Sequence, residues 1–239
     1  MWAPILPRLE RSRRVLAPDS LGFGERPLPK GEFSRVDDAV ALQDAEGIER
    51  AAVVGASDGG RVAIDLALER PDRVAALVLA SPALGGWAWS QEVRSFGAAE
   101  DELLEAGKVD EAADLNVRTW VDGNGRGPDE VDGEVRELVR EMQRRAFEHL
   151  LTAYADEPHP QEHGPDVAAA ARLGELAAPT LVLVGELDKA DFPAIAEKIA
   201  AEVPHARVIS LSDVAHLPSL EKPELFAELV LAFLDELGI

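Results

Sequence analysis

The chain has 239 residues, enough for one substantial hydrophobic core with an inserted subdomain and short of two independent domains. Lys and Arg number 24 against 45 Asp and Glu, a net charge of −21 whose field repels phosphate backbones and anionic membranes, which excludes nucleic acid and membrane surfaces as partners. There is no cysteine, so disulfides, thiolate metal sites and cysteine nucleophiles are ruled out, in keeping with a reducing cytoplasm.

The N-terminal stretch Met1 to Leu9 carries two prolines and no apolar run long enough for a signal peptide, and no later segment approaches a membrane span. A soluble, cytoplasmic protein is the expectation. Short apolar runs bounded by Pro, Gly or Asp then recur: Arg14 to Pro18, Ala51 to Val54, Ala76 to Ala80, Thr180 to Val184 and Arg207 to Leu211. Such near-continuous hydrophobicity predicts strands buried on both faces. Helical stretches lie between them. The last is the clearest, with Leu225, Phe226, Leu229, Val230, Phe233, Leu234 and Leu237 forming an apolar face behind Pro223. Alternating strand and helix predicts an α/β fold, a parallel sheet sandwiched between helices. From Gly85 to Leu176 the rhythm breaks, with no convincing strand, many charges, and a helix striped by Val135, Leu138, Val139, Met142, Ala146 and Leu150. The expected organisation is therefore a core in two parts, 1–84 and 177–239, with a helical cap insertion at 85–176.

Ser57 lies in Gly55-Ala56-Ser57-Asp58-Gly59, between the run Ala51 to Val54 and the helix-like stretch Arg61 to Leu68. A serine at the tip of a strand-to-helix turn is held in a strained conformation, and glycines two residues before and after relieve the crowding: a nucleophile elbow. A hydroxyl becomes nucleophilic at neutral pH only if an imidazole takes its proton and a carboxylate orients that imidazole. Asp188, in Gly185-Glu186-Leu187-Asp188 after the run Thr180 to Val184, and His216, after the run Arg207 to Leu211, supply them. Both sit where strands end, at the carboxyl edge where open α/β sheets place their sites, in the order Ser, Asp, His. Competing readings are Ser57 as an ordinary helix cap, His216 as a loop histidine, and Glu186 or Asp191 as the acid in place of Asp188.

The segments Arg14 to Gly24, Val54 to Gly60, Arg70 to Val74, Pro179 to Asp188 and Ala215 to Pro223 together resemble the α/β-hydrolase fold family, of the serine-dependent capped esterase and lactonase type. The resemblance implies Ser57 as nucleophile, His216 as general base and acid, Asp188 as orienting carboxylate, and the Asp58 backbone N–H as an oxyanion donor. It implies hydrolysis of a small-molecule ester or lactone under a helical lid, with no metal or organic cofactor. Thioesterase, carbon–carbon hydrolase and perhydrolase branches share these residues; epoxide hydrolases and dehalogenases, which use aspartate at the elbow, do not. Family members begin with three further strands and a His-Gly loop that supplies the second oxyanion N–H. The expectation is thus an N-terminally shortened fold in which Met1 is an internal methionine of a longer gene product. Arg14 to Pro18 would then border a gap or pair directly with Ala51 to Val54. Loss of one oxyanion donor costs about a hundred- to a thousandfold in rate, so a slowed enzyme, or a small-molecule binding protein that keeps the triad, is the rival class.

Around this constellation, Asp58 either complements the positive end of its helix or favours an amine-bearing substrate. Trp87, Trp89 and Trp120 are read as walls of a substrate pocket or as packing of the insertion. His159 and His163, four apart, have the spacing of helical metal ligands, but Pro158 and Pro160 predict a loop.

Overall fold

A computed structural model describes residues 1–239. In chain order it contains α1 (Leu6–Leu9), β1 (Glu32–Phe33), α2 (Arg35–Ala45), β2 (Ala51–Ala56), α3 (Asp58–Glu69), β3 (Val74–Ala80), α4 (Gln91–Glu105), α5 (Val109–Asn116), α6 (Gly133–Tyr154), β4 (Gln161–Glu162), β5 (Thr180–Gly185), α7 (Asp191–Glu202), β6 (Ala206–Leu211), α8 (Pro218–Glu221) and α9 (Pro223–Glu236). The chain divides into two compact units: Met1–Leu16, Arg35–Trp87 and Gly164–Ile239 form the first, Ala17–Ser34 and Ala88–His163 the second. The helical unit thus draws in residues 17–34, where the sequence suggests 85–176 alone.

In the first unit β2, β3, β5 and β6 form one parallel sheet in that order. β3 lies inside it, and Ala76 to Ala80 are wholly buried. Burying side chains such as Leu77 and Leu79 contributes roughly 1.5–3 kcal/mol each. Parallel strands place all their carboxyl ends on one edge, so the segments after Ala56, Ala80, Gly185 and Leu211 emerge side by side. On α9, Phe226, Val230, Phe233 and Leu234 are buried, whereas Leu225 is exposed.

Two strand expectations are corrected. Arg14–Pro18 is not a strand, and β2 is the edge of the sheet, so that segment does not pair with Ala51 to Val54. A strand must pair its N–H and C=O groups, and Pro18 lacks one donor. Only Val15 packs against the core, and Leu16 is exposed. The neighbouring arginines bind elsewhere: Arg13 donates to Asp235 and to the Ile239 carbonyl, and Arg14 to Glu46. β6 is the opposite edge and is half-exposed, its Arg207 lying over the Phe233 ring, so its apolar run does not mean burial on both faces.

The second unit packs α5 and α6 with α4 around Leu104, Ala112, Ala113 and Phe147. The stripe on α6 is rotated from expectation: Val139 and Phe147 are buried and Leu138 is exposed. A short parallel pairing of Glu32–Phe33 with Gln161–Glu162 supplies a strand inside the segment expected to have none. Asn116 is buried and donates to Glu100 at 2.5 Å and to the Ala112 carbonyl at 3.0 Å, and Gln143 donates to it at 2.7 Å. Burial holds the Glu100 carboxyl above its ordinary value despite the bond from Asn116. The folded chain therefore keeps this proton to higher pH than the unfolded chain. That contribution is complete below the unfolded pKa and is lost as pH rises through the folded one. Glu100→Gln, neutral throughout, is expected to melt a few degrees above wild type at about pH 7, with the advantage gone near pH 4; thermal scans at the two pH values check this.

Candidate active site

Ser57 follows β2 directly, with φ +49° and ψ −119°. A non-glycine residue in this region stores roughly 1–3 kcal/mol of strain and persists only where its surroundings fix it. Here the Ser57 N–H donates to the Ala80 carbonyl at 3.0 Å, and its own carbonyl accepts from Gly60, Arg61 and Ala83. Although Ser57 occupies the N-cap of α3, its side chain makes no capping bond. The hydroxyl is not used as a helix cap, which disfavours that reading.

The glycine requirement is partly reassigned. A Cβ on Gly55 would lie 2.2 Å from the Gly59 carbonyl oxygen, so the turn needs glycine there. A Cβ on Gly59 would meet open space, whereas one on Gly60 would lie 2.7 Å from Pro82 Cβ. The helix is pressed onto the chain leaving β3 at residue 60, so that is where bulk is forbidden.

Asp188 and His216, from the loops after β5 and β6, are both buried, and Asp188 Oδ2 lies 2.9 Å from His216 Nδ1. The Lys189 N–H donates to Asp188 Oδ1 at 2.7 Å, fixing the carboxylate. A carboxylate facing Nδ1 favours the tautomer with the proton there, leaving the Nε2 lone pair to accept another. The Phe192 ring packs against the imidazole, centroids 4.3 Å apart. The other candidate acids are placed differently: Glu186 is exposed, and Asp191 accepts from Trp87 Nε1 at 2.9 Å.

The two loops are stitched together by Glu186 N–H to the Leu211 carbonyl and Leu187 N–H to the Val214 carbonyl. Gly185 permits this approach: a Cβ there would sit 2.0 Å from the Ala215 oxygen and 2.3 Å from the Val214 oxygen. Gly185→Ala is expected to lose about 2–3 kcal/mol of stability. Because the displaced backbone carries His216, the Asp188–His216 contact should loosen as well. Denaturant unfolding of the variant checks the first effect, and turnover corrected for folded fraction the second.

Asp58 begins α3, where its N–H comes too early in the helix to have an intrahelical acceptor, whereas those of Gly60 and Arg61 donate to the Ser57 carbonyl. Its carboxylate is half-exposed and accepts from Arg61 Nε at 2.6 Å, with Arg35 Nε 4.0 Å away; Arg61 also reaches the buried Asp65 at 3.3 Å. The charge is thus neutralised within its own unit, which weighs against recognition of an amine.

The tryptophans make contacts within their own units. Beyond the Trp87 bond to Asp191, Trp120 packs edge-on against Phe96 at 4.8 Å in the second unit, where the Trp89 carbonyl accepts from Arg94. His159 and His163 lie outside any helix, 3.5 Å from Glu157 and 3.9 Å from Glu32, and no group of three potential metal ligands gathers anywhere. No helix is long and apolar enough to cross a membrane. One residue packed against the candidate site has no sequence signal: Phe192 is marked only by following Asp191. Ser81, wholly buried just after β3 with φ +42°, donates its N–H to the Leu183 carbonyl.

A parallel sheet with a strained serine in the strand-to-helix turn after β2, and a buried acid–histidine pair in the loops after β5 and β6, has the arrangement of an α/β hydrolase. The sequence model of the "Alpha/beta hydrolase family" matches residues 1–229, and the chain belongs to that family. It is similar to 2-hydroxymuconate semialdehyde hydrolase of Pseudomonas sp. strain CF600, 32% identical over 98% of this chain and 81% of that protein. The crystal structure of a hydrolase from Pseudomonas aeruginosa PA01 superposes with a TM-score of 0.76 at 30% identity, covering 98% of this chain and 84% of the other. An enol-lactonase from Burkholderia xenovorans LB400 also gives a TM-score of 0.76, at 24% identity over 98% and 85% of the two chains, a likeness of fold. The chain is a hydrolase of the α/β-hydrolase superfamily.

Proposed function

We propose that the chain hydrolyses carboxylic esters or lactones through an acyl-enzyme on Ser57, with His216 as general base and acid and Asp188 as its orienting carboxylate. The observation that carries this reading is the buried 2.9 Å contact of Asp188 with His216 Nδ1, on the same sheet edge as a serine whose hydroxyl does not cap its helix. Ser57 Oγ bonds to the acyl carbon as its proton passes to His216 Nε2. The acyl C–O bond then breaks, and Nε2 returns the proton to the leaving oxygen. Water gives a proton to Nε2 as its oxygen bonds to the acyl carbon, and Ser57 departs with that proton. The Asp58 N–H, at the positive end of α3, stabilises the oxyanion formed in both halves.

A second reading is favoured by the relative named for 2-hydroxymuconate semialdehyde. That compound has no ester, so its hydrolysis breaks a carbon–carbon bond, and Nε2 would return its proton to the leaving carbon. Turnover of p-nitrophenyl esters, an enol lactone and 2-hydroxymuconate semialdehyde by the same preparation separates the two. Preference for the esters or lactone supports the first, preference for the semialdehyde supports the second, and no turnover of any by folded protein overturns both.

A further inference from the structure

The loop that carries His216 is gripped by the short helix that follows it. Glu221, the last residue of α8, turns its carboxylate back onto the loop: Oε1 accepts the Ala215 N–H and the Leu217 N–H, each at 3.1 Å, and Oε2 accepts the Ala215 N–H at 3.0 Å. These donors belong to the residues immediately before and after His216. The next side chain holds the start of the loop: Lys222 Nζ donates to the Ser212 carbonyl at 2.7 Å and lies 3.8 Å from the Asp213 carboxylate. Asp213 itself has φ +55°, a conformation that needs such support.

We propose that Glu221 is a positioning residue for His216, holding the backbone on both sides of the imidazole so that Nδ1 stays on Asp188 and Nε2 faces Ser57. This rests on the reading of His216 as general base. Asp188 and Phe192 constrain the ring, but they act at its Nδ1 edge and one face, and neither fixes the Cα from which the ring swings. Ala215 is wholly buried, so without an acceptor its N–H would be left unpaired and the loop would rearrange to satisfy it. Pro218 and the one-turn length of α8 bring residue 221 within reach, as the Glu221 N–H bond to the Leu217 carbonyl shows. A capping glutamate reaches back in the same manner to a helix's entry. Here the entry residue is the neighbour of the histidine.

The test uses isotope-labelled full chain with Glu221→Ala, Glu221→Asp and Glu221→Gln variants, read by the low-field ring-proton resonance of His216 and by ester turnover. Wild type and E221Q, whose single acceptor oxygen can replace Oε1, are expected to keep the resonance. E221A is expected to lose it to exchange, with kcat down about tenfold to a hundredfold and KM within about twofold. If E221A does not fold, E221D decides, since its shorter side chain cannot span both donors and should weaken the resonance. The proposal is overturned if wild type lacks the resonance or if E221A, or E221D in its place, retains it at full intensity. It is equally overturned if kcat falls only as far as the folded fraction does. Turnover that survives Ser57→Ala would defeat the triad reading instead, and the ring-proton resonance would still test Glu221 separately.

Discussion

Ser57→Ala is expected to lower ester turnover on the order of a millionfold while leaving the melting temperature unchanged or slightly raised. The kinetic loss follows because the acyl-enzyme has no atom on which to form. Little stability should be lost because the hydroxyl makes no capping bond, and the turn is held by backbone bonds to Ala80, Gly60, Arg61 and Ala83 that alanine keeps. An ordinary helix cap behaves in the opposite way, since removing it costs about 1 kcal/mol and leaves chemistry elsewhere untouched. Parallel kinetics and thermal melts of the purified variant distinguish the two.

Asp188→Asn is expected to lower kcat about ten-thousandfold with the fold intact. The carboxylate only accepts, so it favours a proton on His216 Nδ1. An asparagine amide can donate to Nδ1 instead, which moves the ring proton to Nε2, where it blocks acceptance of the serine proton. The remaining acceptor oxygen can still receive the Lys189 N–H, so the loop should stay closed. Glu186→Gln is expected to stay within about twofold of wild type because that side chain is exposed. Equal losses at residues 186 and 188 would show that the acid has been misassigned.

Much of this site was legible because the fold puts chemistry at strand ends, and strand ends are marked by breaks in apolar runs. Ala51 to Val54 predicted β2 and therefore the turn at Ser57, and Thr180 to Val184 predicted β5 and the loop of Asp188. What escaped was whatever depends on neighbours distant in sequence. Arg14–Pro18 has the pattern of a strand, yet a strand exists only where another offers a ladder; Arg14 turns to Glu46, and the preceding Arg13 to Asp235 and the Ile239 carbonyl. The run in β6 matches that in β5, but one lies at an edge and the other inside the sheet. Gly59 and Gly60 are adjacent in sequence, and only the packing of Pro82 reveals which must be glycine. Glu221 lay inside a segment that resembled the family, but its hold on the loop of His216 emerges only once α8 folds back.

Whether Ser57 is a nucleophile activated by His216 and Asp188 is decided by treating the folded chain with a fluorophosphonate and mapping the adduct by peptide mass spectrometry. One covalent phosphonyl group is expected on Ser57, none on the Ser57→Ala variant, and much slower labelling of Asp188→Asn. A folded wild-type chain that remains unlabelled, or a label found on another residue, would refute the assignment of Ser57 as nucleophile.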